Sequence, residues 1–273
     1  MKLSPSGPCQ PWLPWVLACL AVSHAFAADT SKTTVGVPWR MLLVTGGCCH
    51  DYAGQTEVLC NRIRIGDGSR PIEWTVKTYG DSREIEADVY RQAGWAEGYD
   101  LVVHNECFGA VANAEFVESI VAEHERTRVP AVVLHCSMHS YRVAPTDRWR
   151  EFVGVTSRRH EQVKRPLVVR PVVPVDPLVA ALGSSWETPL EELYIIEQVW
   201  PSARVMAVAY SEEEKADQPV IWQNQYRGVR VFGTTLGHFT ATMGDPVWLA
   251  VVEEGVQWAL VSSPSEEAAQ PQP

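Results

Sequence analysis

An α/β fold with a mostly parallel central sheet is predicted by three features of the sequence. Short, wholly apolar runs alternate with segments of helical period through the first half of the chain, as buried parallel strands and their covering helices do. No internal repeat or linker interrupts the body between residues 40 and 261, so one domain accounts for it. The composition, 46% hydrophobic and 21% charged over 273 residues, is that of a folded protein and excludes wholesale disorder.

The elements follow in order. Arg40–Thr45 is an apolar run closed by Gly46 and Gly47, and reads as a buried strand. Gln55–Ile65 has helical spacing at Val58, Leu59, Ile63 and Ile65, and Ile72–Tyr79 alternates as a strand does. Asp100–Asn105 is a second buried-type run. Asn113–Arg126 places Phe116, Val117, Ile120 and Val121 on one helical face, and Ala131–Leu134 is a further strand. The second half is richer in strands, with candidates at Leu167–Val173, Leu193–Val199, Arg204–Ala209, Val220–Gln223 and Val229–Thr235. A last helix opens with Asp245 as cap and Pro246 at its first position.

The ends of the chain are set apart. Met1–Ala27 has one charge, Lys2, an apolar stretch from Trp12, and Ala25-Phe26-Ala27 as a small-x-small cleavage site. This is the layout of a secretory signal peptide, so the chain is expected to be exported to a periplasmic or extracellular space. Lipid anchoring on Cys19 is the lesser alternative. No transmembrane helix is expected in the mature protein, and residues 262–273, rich in Pro, Ser, Glu and Gln, are expected to be disordered. Five cysteines remain after cleavage: Cys48, Cys49, Cys60, Cys107 and Cys136. The number is odd and low for a disulfide scaffold, so at least one thiol should stay free in a monomer.

A net charge of −10 excludes a general nucleic-acid binder, which needs a basic footprint. Function should instead sit at the carboxyl ends of the parallel strands. His50, His104, His135, His139 and His238 all follow such a strand. Five histidines at equivalent ends of separate strands point to a functional cleft.

Several motifs resemble the ThuA-like (trehalose-utilisation) family. They are Val133-Leu134-His135 followed by Tyr141, then Trp149 with Phe152-Val153-Gly154 and His160. Glu191-Glu192-Leu193-Tyr194, Val231–His238 and Trp258-Ala259 continue the match, which covers roughly residues 40–261. The resemblance implies a flavodoxin-like three-layer sandwich like that of class I glutamine amidotransferases. It also implies a carbohydrate or an oxidised (keto) sugar derivative as the small-molecule partner. By the wider resemblance, Cys136 would stand where those amidotransferases carry a nucleophile and His238 where they carry its base. Here, however, His135 and Ser137 replace the flanking glycines, and Thr240 stands where an acidic partner is expected.

Three chemistries therefore remain open. Acid–base catalysis would use His135, His238 and Glu192. A zinc or other divalent metal site would draw on His50, His135, His160 and His238, with Glu106 or Glu192 as ligand or base. Covalent catalysis would use Cys136. His50, Glu106, His139, Tyr141, His160, Tyr194 and Gly237 complete the expected ligand-binding set. A carbohydrate-binding module without catalysis is the competing class.

Overall fold

The computed structural model describes residues 36–261; the expected signal peptide, Cys19 and the tail from 262 lie outside them. In chain order the elements are β1 (Trp39–Gly47), α1 (Tyr52–Arg62), β2 (Ile72–Tyr79), β3 (Leu101–Cys107), α2 (Ala114–Thr127), β4 (Ala131–Leu134) and α3 (Arg148–Val153). There follow β5 (Val155–His160), β6 (Arg165–Pro171), β7 (Trp186–Glu191), β8 (Tyr194–Val199), β9 (Ala203–Ser211), β10 (Ala216–Tyr226), β11 (Val229–Thr234), α4 (Thr240–Met243) and α5 (Pro246–Leu260).

Nine strands form one sheet in the order β2-β1-β3-β4-β11-β10-β9-β6-β7. The pairings from β2 through β1, β3 and β4 to β11 are parallel. From β11 the sheet continues antiparallel through β10, β9, β6 and β7. β5 and β8 make a separate antiparallel ribbon. The α/β class and its parallel heart are those the sequence predicts. The ribbon strand β5, the edge strand β7 and the short helix α3 are additional to the predicted elements.

Strand alternation builds the three layers. Met41 and Leu43 of β1 pack with Leu59 of α1 and Trp248, Val252 and Val256 of α5. Leu42 and Val44, pointing the other way, pack with Val117, Ile120 and Val121 of α2 and with Trp149 and Phe152 of α3. Both faces of the inner parallel strands β1, β3 and β4 are thus apolar over most of their length, and their sequences lack the alternation that edge strand β2 shows.

Local chemistry places the helix starts. Asp51 caps α1 by accepting from the Gly54 amide at 3.0 Å. The helix therefore begins before Gln55, and Ile63 already has extended backbone while staying buried. Asp245 caps α5 as predicted, accepting from Val247 at 2.8 Å, with Pro246 in the first turn. Gly46 and Gly47 close β1 because nothing larger fits. A Cβ on Gly46 would lie 2.3 Å from the Tyr79 carbonyl oxygen, and one on Gly47 would lie 2.5 Å from that of Cys107.

Candidate active site

His50 follows β1, Cys107 ends β3, His135 follows β4 and His238 follows β11. Four neighbouring parallel strands thus deliver their terminal residues to one edge of the sheet. Glu192 and Tyr194 arrive from the β7–β8 connection and β8, and His160 from β5. All of these except His135, which is buried against His238 and Tyr194, line a cavity of about 220 Å³. A wider cavity of about 890 Å³, lined by Tyr52, Tyr79, Asp81 and Phe239, adjoins it and shares Cys49, His50 and His238.

The centre of the site is a close cluster. His238 Nδ1 lies 3.1 Å from His50 Nε2 and 3.1 Å from His135 Nε2. Glu192 Oε2 stands 3.4 Å from His238 Nδ1 and 3.6 Å from His135 Nε2. The other oxygen, Oε1, faces His160 Nδ1 at 3.4 Å and Lys164 Nζ at 3.5 Å. Tyr194 Oη is 3.2 Å from His135 Nε2, and its ring stacks on His139 at 3.9 Å. His135 is held in a left-handed backbone conformation, φ +39°, at the turn after β4. Such conformations are costly for a residue with a Cβ and concentrate at functional sites.

Electrostatics follows from this crowding. Burial would raise the Glu192 carboxyl, but hydrogen bonds and charge from His135 and His238 outweigh it and hold it well below the usual carboxylate range. Burial, then the rings of His135 and His238, push His50 down to about 3. Burial and the same neighbourhood push His139 well below its ordinary value, and burial and the Glu192 charge push the Tyr194 hydroxyl up.

The loop that carries His238 is clamped from below. Glu191, fully buried, accepts from the amides of Gly237 and His238, both at 3.0 Å, and from Glu192 at 2.9 Å. Gln55 Nε2 donates to the carbonyls of Gly237 at 3.1 Å and His238 at 3.3 Å. Asn105 holds Gln55 in turn, at 3.1 Å. Gly237 therefore serves through its backbone, at φ +115°, and is not among the residues lining the cavity.

Several expected site residues are corrected. Glu106 does not reach the cavity. It shares the β3 face of Val102 and His104, and its Oε1 lies 3.0 Å from both His104 Nδ1 and Tyr90 Oη, in a fully buried network beneath α2. Tyr141 is core, packed edge-on against Trp149. Cys136 lines the cavity but is disulfide-bonded to Cys107, so it offers no thiolate. Cys48 and Cys49 form a second disulfide, and among the described residues Cys60 is the free thiol. Glu191 and Glu192, which sequence alone leaves open to a solvated position, are both buried. Arg83, Arg142 and Lys164 also line the cavity. None of them stands at a strand end, so the strand-end criterion passes over them.

The family described as ThuA, trehalose utilisation, matches residues 61–259. Among solved structures, a ThuA-like protein from Parabacteroides merdae is similar at 17% identity and TM-score 0.60, over 82% of this chain and 90% of that one. Another, from Bacteroides uniformis, is similar at 13% identity and TM-score 0.62, over 88% of this chain and 97% of that one. No curated protein matches the chain in sequence.

Proposed function

The chain belongs to the ThuA trehalose-utilisation family, and we propose that it is an enzyme of sugar utilisation whose reacting centre is the His50–His135–His238–Glu192 cluster. One observation carries this reading. Three imidazoles and an ionised carboxylate, drawn from separate elements, converge within 3.6 Å contacts, and His50, His238 and Glu192 of this cluster line a cavity. A sugar-binding module needs aromatic platforms but has no use for such convergence. His135, His238 and Glu192 together take the proton of a reacting hydroxyl, water or C–H beside a carbonyl and return it. Polarising the reacting oxygen requires positive character at the imidazole face of the site. Arg83, Arg142 and Lys164 offer donors to the remaining sugar oxygens, with an oxidised (keto) sugar as the favoured class. The test is to follow trehalose and its keto derivatives by NMR with the purified protein. Glu192→Gln and His135→Ala should each lose about 10²-fold or more of the turnover. Sugar that binds the wild type without ever being converted would make this a binding module.

Export is part of the proposal. The layout of residues 1–27 supports it, and two disulfides among the described residues suit an oxidising compartment. Intact-mass analysis of protein from a secreting host should find a mature N-terminus near Ala28, and an intact Met1 on extracytoplasmic protein would refute it.

A further inference from the structure

The three imidazoles of the cluster face one another in a way that shared protons do not satisfy. His135 Nδ1 lies 2.6 Å from the Thr235 carbonyl oxygen. A carbonyl only accepts, so Nδ1 carries the proton and the neutral ring presents a lone pair at Nε2. His50 repeats the pattern, with Nδ1 3.2 Å from the Cys48 carbonyl oxygen. Tyr52 Oη sits 3.2 Å from both the same carbonyl and the same Nδ1. The Nε2 atoms of both rings are directed at a single atom, His238 Nδ1, 3.1 Å from each. One proton on that nitrogen can be donated along one of the two directions at a time. Glu192 Oε2 adds another electron-rich atom, 3.4 Å from the same nitrogen.

The same arrangement suits a metal ion. Zinc–imidazole bonds of about 2.0–2.1 Å at tetrahedral angles put ligand nitrogens about 3.3 Å apart, against 3.1 Å for two of the pairs here. All three ring nitrogens lie within 4.8 Å of one another. Donation of the far ring N–H to a backbone carbonyl is the outer contact that orients metal-bound histidines and fixes their tautomer, and His50 and His135 both make it. We propose that His50 Nε2, His135 Nε2 and His238 Nδ1 form a three-histidine site for a divalent transition metal, with zinc as the best-suited ion. Imidazole ligands favour zinc and its first-row neighbours over magnesium or calcium. A fourth position would be left to water or a sugar oxygen, with Glu192 Oε2, 3.4 Å from His238 Nδ1, beside the ligand set. The neighbouring trio of His50, Cys107 and Cys136 is not the site, because both sulfurs are committed to a disulfide.

This inference rests on the reading of the cluster as the reacting centre, and identifies the source of the positive character that reading requires. It is tested without activity. Untagged protein is stripped with a chelator, shown by circular dichroism to remain folded, and titrated with zinc chloride and with cobalt chloride. The expected result is one equivalent of zinc per chain and a cobalt complex with the visible bands of a tetrahedral site. His238→Ala and His50→Gln, on different loops, should each weaken zinc binding by about 100-fold or more, while Glu192→Gln keeps the stoichiometry. A folded wild type that takes up no zinc or cobalt overturns the metal site, even if its turnover depends on His135 and Glu192. Equal zinc affinity in wild type and both histidine variants overturns it as well. Stoichiometric zinc lost in the histidine variants supports it, and does so even if turnover proves indifferent to Glu192, a result that would remove the acid–base reading instead.

Discussion

Glu191→Gln should destabilise the protein and loosen the His238 loop while leaving the cavity lining chemically unchanged. The Glu191 carboxylate is fully buried and accepts three backbone N–H groups, from Glu192, Gly237 and His238, at 2.9–3.0 Å. A glutamine amide keeps one oxygen, which can retain the pair at Oε1, and turns an NH₂ group toward the Gly237 amide. One hydrogen bond to a charged group is lost, about 1.5–3 kcal/mol, and a buried donor is left facing a donor, about 1–3 kcal/mol more. Removing a buried charge recovers part of this, so the net loss should be about 2–3 kcal/mol. In a folded body of this size that corresponds to a fall in Tm of roughly 4–12 °C. Thermal unfolding followed by circular dichroism reads it, with urea midpoints at equal m-value as a second measure. Because the Gly237 and His238 amides are the bonded groups, zinc affinity and turnover should fall together with stability. A variant within about 0.5 kcal/mol of wild type, with His238-dependent properties intact, would refute the clamp.

Two further outcomes follow from buried groups outside the histidine–glutamate cluster. His124 is fully buried, and burial, then the His104 ring, push it down to about 3. Below about pH 6.5 the unfolded chain takes up a proton that the native state refuses. Stability is therefore full above that pH and falls toward pH 3, by up to about 1.4 kcal/mol per pH unit. His124→Gln should flatten the pH dependence of the urea midpoint by about one proton, and an unchanged slope would contradict this. Replacing Cys107 and Cys136 together by serine removes a link spanning 29 residues and should cost about 2–4 kcal/mol of stability, yet leave turnover largely intact. Activity lost with Cys136→Ser alone, in a folded protein, would restore the thiol as nucleophile.

The parallel heart of the fold was legible because its strands are buried on both faces. Met41–Val44, Leu101–Val103 and Ala131–Leu134 are uninterrupted apolar runs, and nothing but a strand between two helical layers uses such short ones. β5 and β7 were not legible for the opposite reason. Thr156, Ser157, Arg158 and Arg159 in one, and Glu187, Thr188 and Pro189 in the other, mix polar and apolar residues as edge or ribbon strands do. Their strand state depends on partners that composition does not announce. The helix start at Asp51 shows the same limit on a smaller scale, since the cap lies seven residues before Val58, the first apolar position of the periodic pattern.

The site divides along similar lines. Position after a buried parallel strand is a property of sequence, and His50, His135 and His238, each so placed, meet with ring nitrogens 3.1 Å apart in two pairs. The direction of a side chain within a strand end is not, and there the two-residue period decides. Glu106 and His104 share the face beneath α2, while Cys107, one residue on, reaches the cavity. The acidic pair Glu191-Glu192 splits in the same manner. Successive carboxylates turn to opposite sides, one to clamp the backbone of the His238 loop and the other to face the imidazoles. A sequence reader weighing two adjacent glutamates expects solvent, because burying an unpaired carboxylate is costly. Each carboxylate here has its partners, backbone amides for the first and histidines for the second. The pair thus joins the position of His238 to the charge that surrounds it. Loss of either member should therefore reach the reacting atoms by a separate route, Glu191 through geometry and Glu192 through charge.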